Sequence, residues 1–497
     1  MSGSPVYIEG KLAGALSLRL GIFTKEPIAG VTPIEDILNH AITAAGVTSA
    51  PATASVPLSP DVTQRAGLAQ SAQLQPIETP LVFSGFQGST IRQFAPQFES
   101  YGLVATQGGT TAPRPDDAKL SPGDMAGMVL VQGDASINSA CTVTAVEGDR
   151  VFLCGHPFLN LGDVQMPMAR SRVLTTLSSE LASTKIVNVG GAIGTISEDH
   201  LTAVVGKLGA PPPMVPLDLA LSSRLGEKKL HFDLMRHPKL TPLLVAITTF
   251  NGLAQNNVYA EGTTLRLAGE IGIRGHSTVR FDNSFAPVDA FVPDAIFVAT
   301  TVQSIFARIF SNTYEEPAIE RISLRVESIP ERRSMTIEGA WLEKGQASPG
   351  ETLGIKVLLR PYRGAPRLVE VPITIPEQAT HGTPLRVLVG DANWMNRSAR
   401  GFSFGPEPGL GGLEQLIALI NKERRNDRLY VGLFAPYPTL LVEDKELPNV
   451  PLSEMNVLDG RHPPSNVQVL RESLTGEWSV PMDAVVSGAI SLSIAIK

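Results

Sequence analysis

Two side chains in this sequence can do nucleophilic chemistry together: a serine in a tight glycine-bearing turn and a histidine at the end of a strand. Ser2 lies in Ser2-Gly3-Ser4-Pro5, where Gly3 permits a sharp turn and close approach of a substrate. A hydroxyl attacks a carbonyl efficiently only when a base takes its proton, and imidazole suits that role because it titrates near neutrality. The best-placed imidazole is His156, in Gly155-His156-Pro157-Phe158, where a strand leads into it and Pro157 fixes the backbone after it. A rigid elbow and a strand-end imidazole can meet across a sheet although they lie far apart in sequence. Each half also has a plainer reading. Ser-Gly-Ser-Pro is a common turn, and a Gly-His-Pro histidine can be a structural hydrogen-bonding residue. The remaining histidines are scattered. His231 and His237 have no carboxylate or cysteine at ligand spacing, so the sequence implies no metal site.

Around Ser2, residues 5–22 read as a hairpin: Val6-Tyr7-Ile8 runs into the turn Glu9-Gly10-Lys11 and Leu12–Leu16 returns. Thr32-Pro33-Ile34-Glu35 reads as a helix start, with Thr32 as cap, Pro33 at the first helical position and Glu35 closing a capping box. Ile34, Ile37, Leu38 and Ile42 then form an apolar stripe expected to pack on the sheet. Residues 46–79, rich in Ala, Thr, Ser, Pro and Gln, read as a linker or disordered loop. Around His156, Cys141–Val146, the turn Glu147-Gly148-Asp149 and Arg150–Cys154 form a hairpin that runs straight into Gly155-His156. Cys141 and Cys154 flank it about one register away from direct opposition. Two buried thiols are the plainer expectation there, and a bridge is the alternative.

The chain's 497 residues exceed one core, and about three or four domains are expected. Its 43% hydrophobic and 18% charged residues, with 45 Gly and 39 Pro, favour many short strands over long helices. A net charge of -7 offers no general cationic surface, so nucleic acid is not an expected partner. No long uninterrupted apolar run implies an integral membrane segment, and no export signal opens the chain. Read literally, that describes a soluble cytoplasmic chain; for a chain lacking its true start it says nothing of export. Downstream, 251–314 reads as a connecting β-rich region. Ile322, Leu324 and Val326 alternate with polar residues and begin a β-sandwich over 315–392. Residues 393–497 read as a C-terminal α+β region, in which Leu413, Leu416, Ile417 and Ile420 mark one buried helix face.

Two blocks of the chain resemble the SpoIVB-type serine peptidase family (peptidase family S55), especially its long multidomain bacterial members. The first is Met1–Ala15 continued by Lys25–Ile34. The second runs through Pro122-Gly123-Asp124, Thr142-Val143-Thr144, Gly148-Asp149-Arg150-Val151 and Gly155-His156-Pro157-Phe158-Leu159-Asn160-Leu161-Gly162. With weaker likeness at Gly194-Thr195-Ile196, the similarity covers roughly 1–45, a serine-motif part, and 80–250, a histidine-motif part. The resemblance implies a mainly β protein: a trypsin-like β-barrel peptidase-like domain, then the β-sandwich and a C-terminal β-rich region. It makes Ser2 the nucleophile and His156 its base, although the family's sporulation peptidases carry the histidine block first.

A triad acid would orient the histidine. The family's equivalent is expected ahead of the serine turn, so Asp163 is taken as its replacement, with Asp124 and Asp134 as the other acids near the histidine block. One oxyanion donor is likewise expected ahead of Met1, which implies a fragment or a start assigned too late. An alternative is removal of Met1, leaving the Ser2 amine as its own base; the match of the following hairpin to an internal motif argues against it. The implied function is endopeptidase cleavage of a polypeptide by acyl transfer, without a cofactor, in the periplasm or outside the cell. The alternative is a catalytically inactive envelope binding or scaffold protein with a protein partner.

Overall fold

The computed structural model describes residues 2–20, 28–39, 55–65, 67–69, 71–109, 119–177, 184–224, 226–255, 262–288, 293–400, 412–442, 445–448, 450–451, 453 and 467–497. The chain is mainly β-sheet and divides into two units, Met1–Leu217 with Leu230–Gln255 and Asp218–Lys229 with Asn256–Lys497.

The first unit opens with a hairpin of β1 (Pro5–Ile8) and β2 (Lys11–Arg19). Its turn residues Glu9 and Gly10 have φ of 51° and 77°, the left-handed pair whose twist matches a two-residue hairpin loop. β2 also pairs with β3 (Ala29–Pro33) and, through Leu18 and Arg19, with β5 (Gln73–Pro76), which in turn pairs with β4 (Val56–Pro57). This corrects the linker expected over 46–79: residues 55–79 carry a short helix, Pro60–Arg65, and two strands, while 46–54 lie outside the described residues. Leu74 and Thr63 are buried there, so a polar stretch with few large side chains still contributes small anchors.

The larger sheet system of this unit contains β6 (Thr79–Ser84), β7 (Leu103–Gly108), β8 (Met125–Gly133), β9 (Ser136–Glu147), β10 (Arg150–Leu153), β11 (Gly162–Leu177), β12 (Thr184–His200) and β13 (Ala203–Leu208). Antiparallel pairings run β8–β11–β12–β13–β10–β9 and return from β9 to β8, so these six strands pair in a closed cycle. Met125 to Val131 of β8 are buried at every position, as expected for a strand covered on both faces. β6 adds to β9, and β7 lies parallel to β6 after the crossover helix Gly88–Glu99. The helix Leu240–Gln255 is buried at every residue but the last. It therefore shows no one-sided stripe, and sequence periodicity did not find it.

A small core ties the serine hairpin to the cycle. Ala15 of β2 and Ile37 pack with Ala145, Phe152, Ala203 and Val205, and Leu12, Ile34 and Leu38 pack against that cluster. The expected apolar stripe thus lies on a sheet through Ile34, Ile37 and Leu38, in the helix Ile34–Leu38, while Ile42 lies outside the described residues.

In the second unit, Thr264–Ile273 pairs with both Val279–Phe285 and Ile319–Ile329, and Ala295–Phe310 is a helix. The sandwich starts later and ends later than 315–392. Its sheets are Arg367–Thr374, Thr352–Pro361, Ser334–Leu342 and Val485–Ser487 on one side, and Gln346–Ala347, Ala489–Ile496, Pro384–Gly390, Arg428–Ala435 and Ser473–Pro481 on the other. One apolar cluster joins them, for example Ile355, Val357 and Ile373 with Val387, Val431 and Ile494. The alternating strand at Ile322–Val326 pairs with Thr264–Ile273, and the C-terminal region completes the sandwich because 334–390 alone leave the second sheet without most of its strands.

Candidate active site

Ser2 and His156 meet. The Ser2 hydroxyl oxygen lies 2.5 Å from His156 Nε2 and 2.9 Å from the Cys154 carbonyl. Local backbone geometry produces the meeting from both sides. On the serine side Gly3 has a φ of 82°, and a Cβ there would lie 2.4 Å from the Thr142 carbonyl oxygen and 2.8 Å from the Cys154 nitrogen. Glycine is therefore required both by conformation and by space. The turn is held by the Gly3 N–H donating to Leu16 at 2.8 Å, the Thr144 hydroxyl donating to the Gly3 carbonyl at 2.9 Å, and the Thr142 N–H donating to the Ser2 carbonyl at 3.4 Å.

On the histidine side, β10 is followed by two consecutive left-handed residues, Cys154 at φ 70° and Gly155 at φ 72°. They swing the chain out of the strand and deliver His156 beside Ser2. Cys141 and Cys154 are disulfide-bonded, with Cα atoms 5.1 Å apart, which corrects the expectation of two free thiols. The β9–β10 ladder shifts register between Phe152 and Leu153, and the left-handed backbone at Cys154 re-aims its side chain, so the diagonal neighbours reach each other.

Thr32 also differs from expectation. The helix N-cap is Pro33, without a side-chain cap bond, and the Thr32 hydroxyl instead donates to the Gly155 carbonyl at 2.7 Å. Since that uses its proton, the buried Ser17 hydroxyl donates to Thr32 Oγ1 at 2.6 Å.

The tautomer of His156 follows from its neighbours. Nδ1 lies 2.7 Å from the Pro157 carbonyl, which can only accept, so Nδ1 carries a hydrogen. Burial holds the imidazole below its ordinary value of 6.5, against the opposing pull of the Pro157 bond. The neutral ring therefore presents a bare Nε2, and the Ser2 hydroxyl donates to it. The Cys154 carbonyl is a second acceptor for the same proton.

The structure does not bring Asp163 to this ring. Asp163 is exposed on β11, opposite Glu198 in the β11–β12 ladder, and the Nδ1 position where a triad acid would bind is taken by the Pro157 carbonyl. Asp124 accepts the Ser121 N–H within a local turn, whereas Asp134 accepts the N–H of His231, 97 residues away.

Sequence reasoning missed the carboxylate that anchors the loop after His156. Asp199, fully buried near the end of β12, accepts N–H bonds from Phe158 at 2.7 Å, Leu159 at 2.8 Å and Leu161 at 3.3 Å. Asn160, at φ 55°, helps turn these amides toward one side. Burial pushes the Asp199 carboxyl up from its ordinary range while the three amide donors pull it down. Asp199 thus fixes the loop that begins with Pro157, and the Pro157 carbonyl fixes the ring.

Ser2 opens onto a cleft of about 450 Å³ lined by side chains of β6, β7, β8, β9 and β12, including Val82, Val104, Met125 and Val187. His156 borders a second, smaller recess of about 210 Å³ with Pro157 and Phe158, and Arg19, Ile77, Glu78 and Thr79 line both. The Ser2–His156 pair therefore lies between a larger, mainly apolar cleft and a smaller, more polar recess. No family model matches the chain, and comparisons with curated proteins and with solved structures also give no match. Among the described residues no helix is long and apolar enough to cross a membrane.

Proposed function

We propose that the first unit is a serine peptidase of the SpoIVB type, cleaving polypeptides by acyl transfer. The observation that carries this reading is the 2.5 Å contact between Ser2 Oγ and His156 Nε2, made by residues 154 apart in sequence. The closed cycle of six antiparallel strands supports a trypsin-like barrel as the scaffold.

In the reaction Ser2 Oγ attacks a peptide carbonyl as its proton passes to His156 Nε2. The carbon–nitrogen bond then breaks, and the proton goes to the leaving amine. Water next attacks the acyl-serine, its proton again taken by Nε2, and the acid product leaves as the proton returns to Ser2. The Pro157 carbonyl keeps Nδ1–H aimed throughout, without adding a negative charge.

Covalent labelling with a fluorophosphonate tests this. Labelling at Ser2 that is lost in Ser2→Ala and falls steeply in His156→Ala supports the dyad. A folded protein that no such probe labels is instead a binding or scaffold protein on a peptidase-like fold. Export to the periplasm or cell exterior belongs to the same proposal, and the disulfide in this unit is consistent with an oxidising compartment.

A further inference from the structure

The cleft beside Ser2 contains a charge that the dyad does not use. Along β7 and β6, Val104 and Thr106, and Pro80 and Val82, alternate by two and line the cleft as one face. β12 contributes Val187, Val189 and, two residues earlier, Lys185. The Lys185 ammonium lies 3.4 Å from Thr142 Oγ1 and 3.5 Å from Met125 Sδ, neither of which carries charge. Among the described residues no carboxylate lies within ion-pair distance of it. Arg19, on the same cleft, is by contrast paired with Glu78 at 2.8 Å.

Thr142, which holds Lys185, also donates its N–H to the Ser2 carbonyl, so the ammonium is two contacts from the nucleophile's backbone. Burial holds the Lys185 ammonium below its ordinary range, as expected for a partly desolvated cation. A partly desolvated ammonium in an apolar cleft gains most from an incoming carboxylate.

We infer that Lys185 is a specificity-determining residue that receives the side-chain carboxylate of an Asp or Glu in an otherwise apolar, extended polypeptide segment lying in the cleft beside Ser2. This rests on the peptidase reading for the identity of the bound chain. An extended polypeptide is favoured over other apolar carboxylates because β7 is the edge of its sheet. Its described pairing is with β6 alone, and the other edge can take a substrate backbone by strand addition while alternate side chains enter the cleft.

The test uses the Ser2→Ala protein, which cannot turn over, and end-blocked hexapeptides of Ala, Val and Leu. A single Glu is moved through the positions, each peptide is compared with its Gln twin, and affinities are read by fluorescence anisotropy at low salt. At one position Glu should bind about tenfold or more tighter than Gln. The preference should vanish with added Lys185→Met, persist with Lys185→Arg, and turn toward a Lys-bearing peptide with Lys185→Glu; circular dichroism confirms that each variant is folded. Equal binding of Glu and Gln peptides at every position, or binding of none, overturns the inference. Because the readout is binding, it separates the two ideas. A Glu preference without fluorophosphonate labelling of wild type refutes the peptidase and keeps the acidic-segment site, whereas labelling without a Glu preference does the reverse.

Discussion

Replacing Asp199 by Asn removes the carboxylate while keeping its shape, and it separates holding a loop from tuning a base. In the wild type the two carboxylate oxygens accept three backbone N–H groups, at 2.7, 2.8 and 3.3 Å. An amide has one acceptor oxygen. In its better orientation that oxygen keeps Leu159 and Leu161, and the new NH2 group faces the Phe158 N–H, donor against donor, in a fully buried position. One lost charge-assisted bond with its stranded donor, and two weakened bonds, put the cost at about 2–4 kcal/mol. That is a large share of a typical domain's stability, and a clear fall in Tm is expected.

The second effect reaches His156. On the proposed peptidase reading only the neutral ring can take the Ser2 proton, so the rate of fluorophosphonate labelling should rise with pH through the pKa of His156 in the folded protein. Burial puts that acid limb below 6.5 in the wild type. A loosened Pro157 loop admits water, so in Asp199→Asn the limb moves up toward 6.5, and misaiming of Nε2 lowers the plateau by about tenfold to hundredfold. Labelling rates across pH, taken well below the variant's Tm, read both effects. A lowered Tm with unchanged limb and plateau makes Asp199 purely structural. An unchanged Tm refutes the hydrogen-bond accounting itself.

Three further outcomes are expected. His156 binds its proton more weakly in the folded chain than in the unfolded one, so stability is lost as pH falls below 6.5; the unfolding free energy from urea titrations should fall by up to about 1.4 kcal/mol per pH unit in that window, and His156→Gln should remove this component. Cys141→Ser with Cys154→Ser opens a loop of sequence separation 13 and should cost about 3 kcal/mol in denaturant titrations, with slower labelling because Cys154 leads into Gly155-His156 and its carbonyl contacts Ser2. Gly3→Ala places a methyl carbon 2.4 Å from the Thr142 carbonyl oxygen at a φ of 82°, so labelling should be abolished and thermal melting should show at least about 2 kcal/mol of destabilisation. Wild-type labelling by Gly3→Ala would show that the elbow is not what aims Ser2.

What the sequence revealed and what it hid divide along the range of the interactions. Hairpins at Glu9-Gly10 and Gly148-Asp149 are local devices, in which turn residues and flanking alternation suffice, and both formed. Ser2 and His156 were legible because their chemistry makes them partners, whatever separates them. Thr32 was misread because a threonine before Pro-Ile-Glu satisfies the local rule for a cap, while its acceptor, the Gly155 carbonyl, lies 123 residues away. A regular ladder would keep Cys141 and Cys154 apart, and the register shift after Phe152 with the left-handed Cys154 makes the ladder irregular at that point. Asp199 left no trace for a simpler reason. It binds backbone N–H groups, which every residue except proline carries, so no side-chain pattern announces the partner.

That indirect arrangement has a chemical consequence. A carboxylate in contact with Nδ1 would stabilise the imidazolium and raise the pKa of His156. A carbonyl held in place by a distant carboxylate supplies the same aim with no net charge, and burial then pulls the ring below 6.5. The resulting base is weaker when protonation must be shared with a transition state, yet it stays unprotonated further into the acid range. Low intrinsic labelling rates with a plateau extending below pH 6.5 are the joint signature of that design. A carboxylate in direct contact with Nδ1 would instead give a faster plateau and an acid limb displaced upward, so one pH profile of the wild-type protein distinguishes orientation by a carbonyl from orientation by a charge.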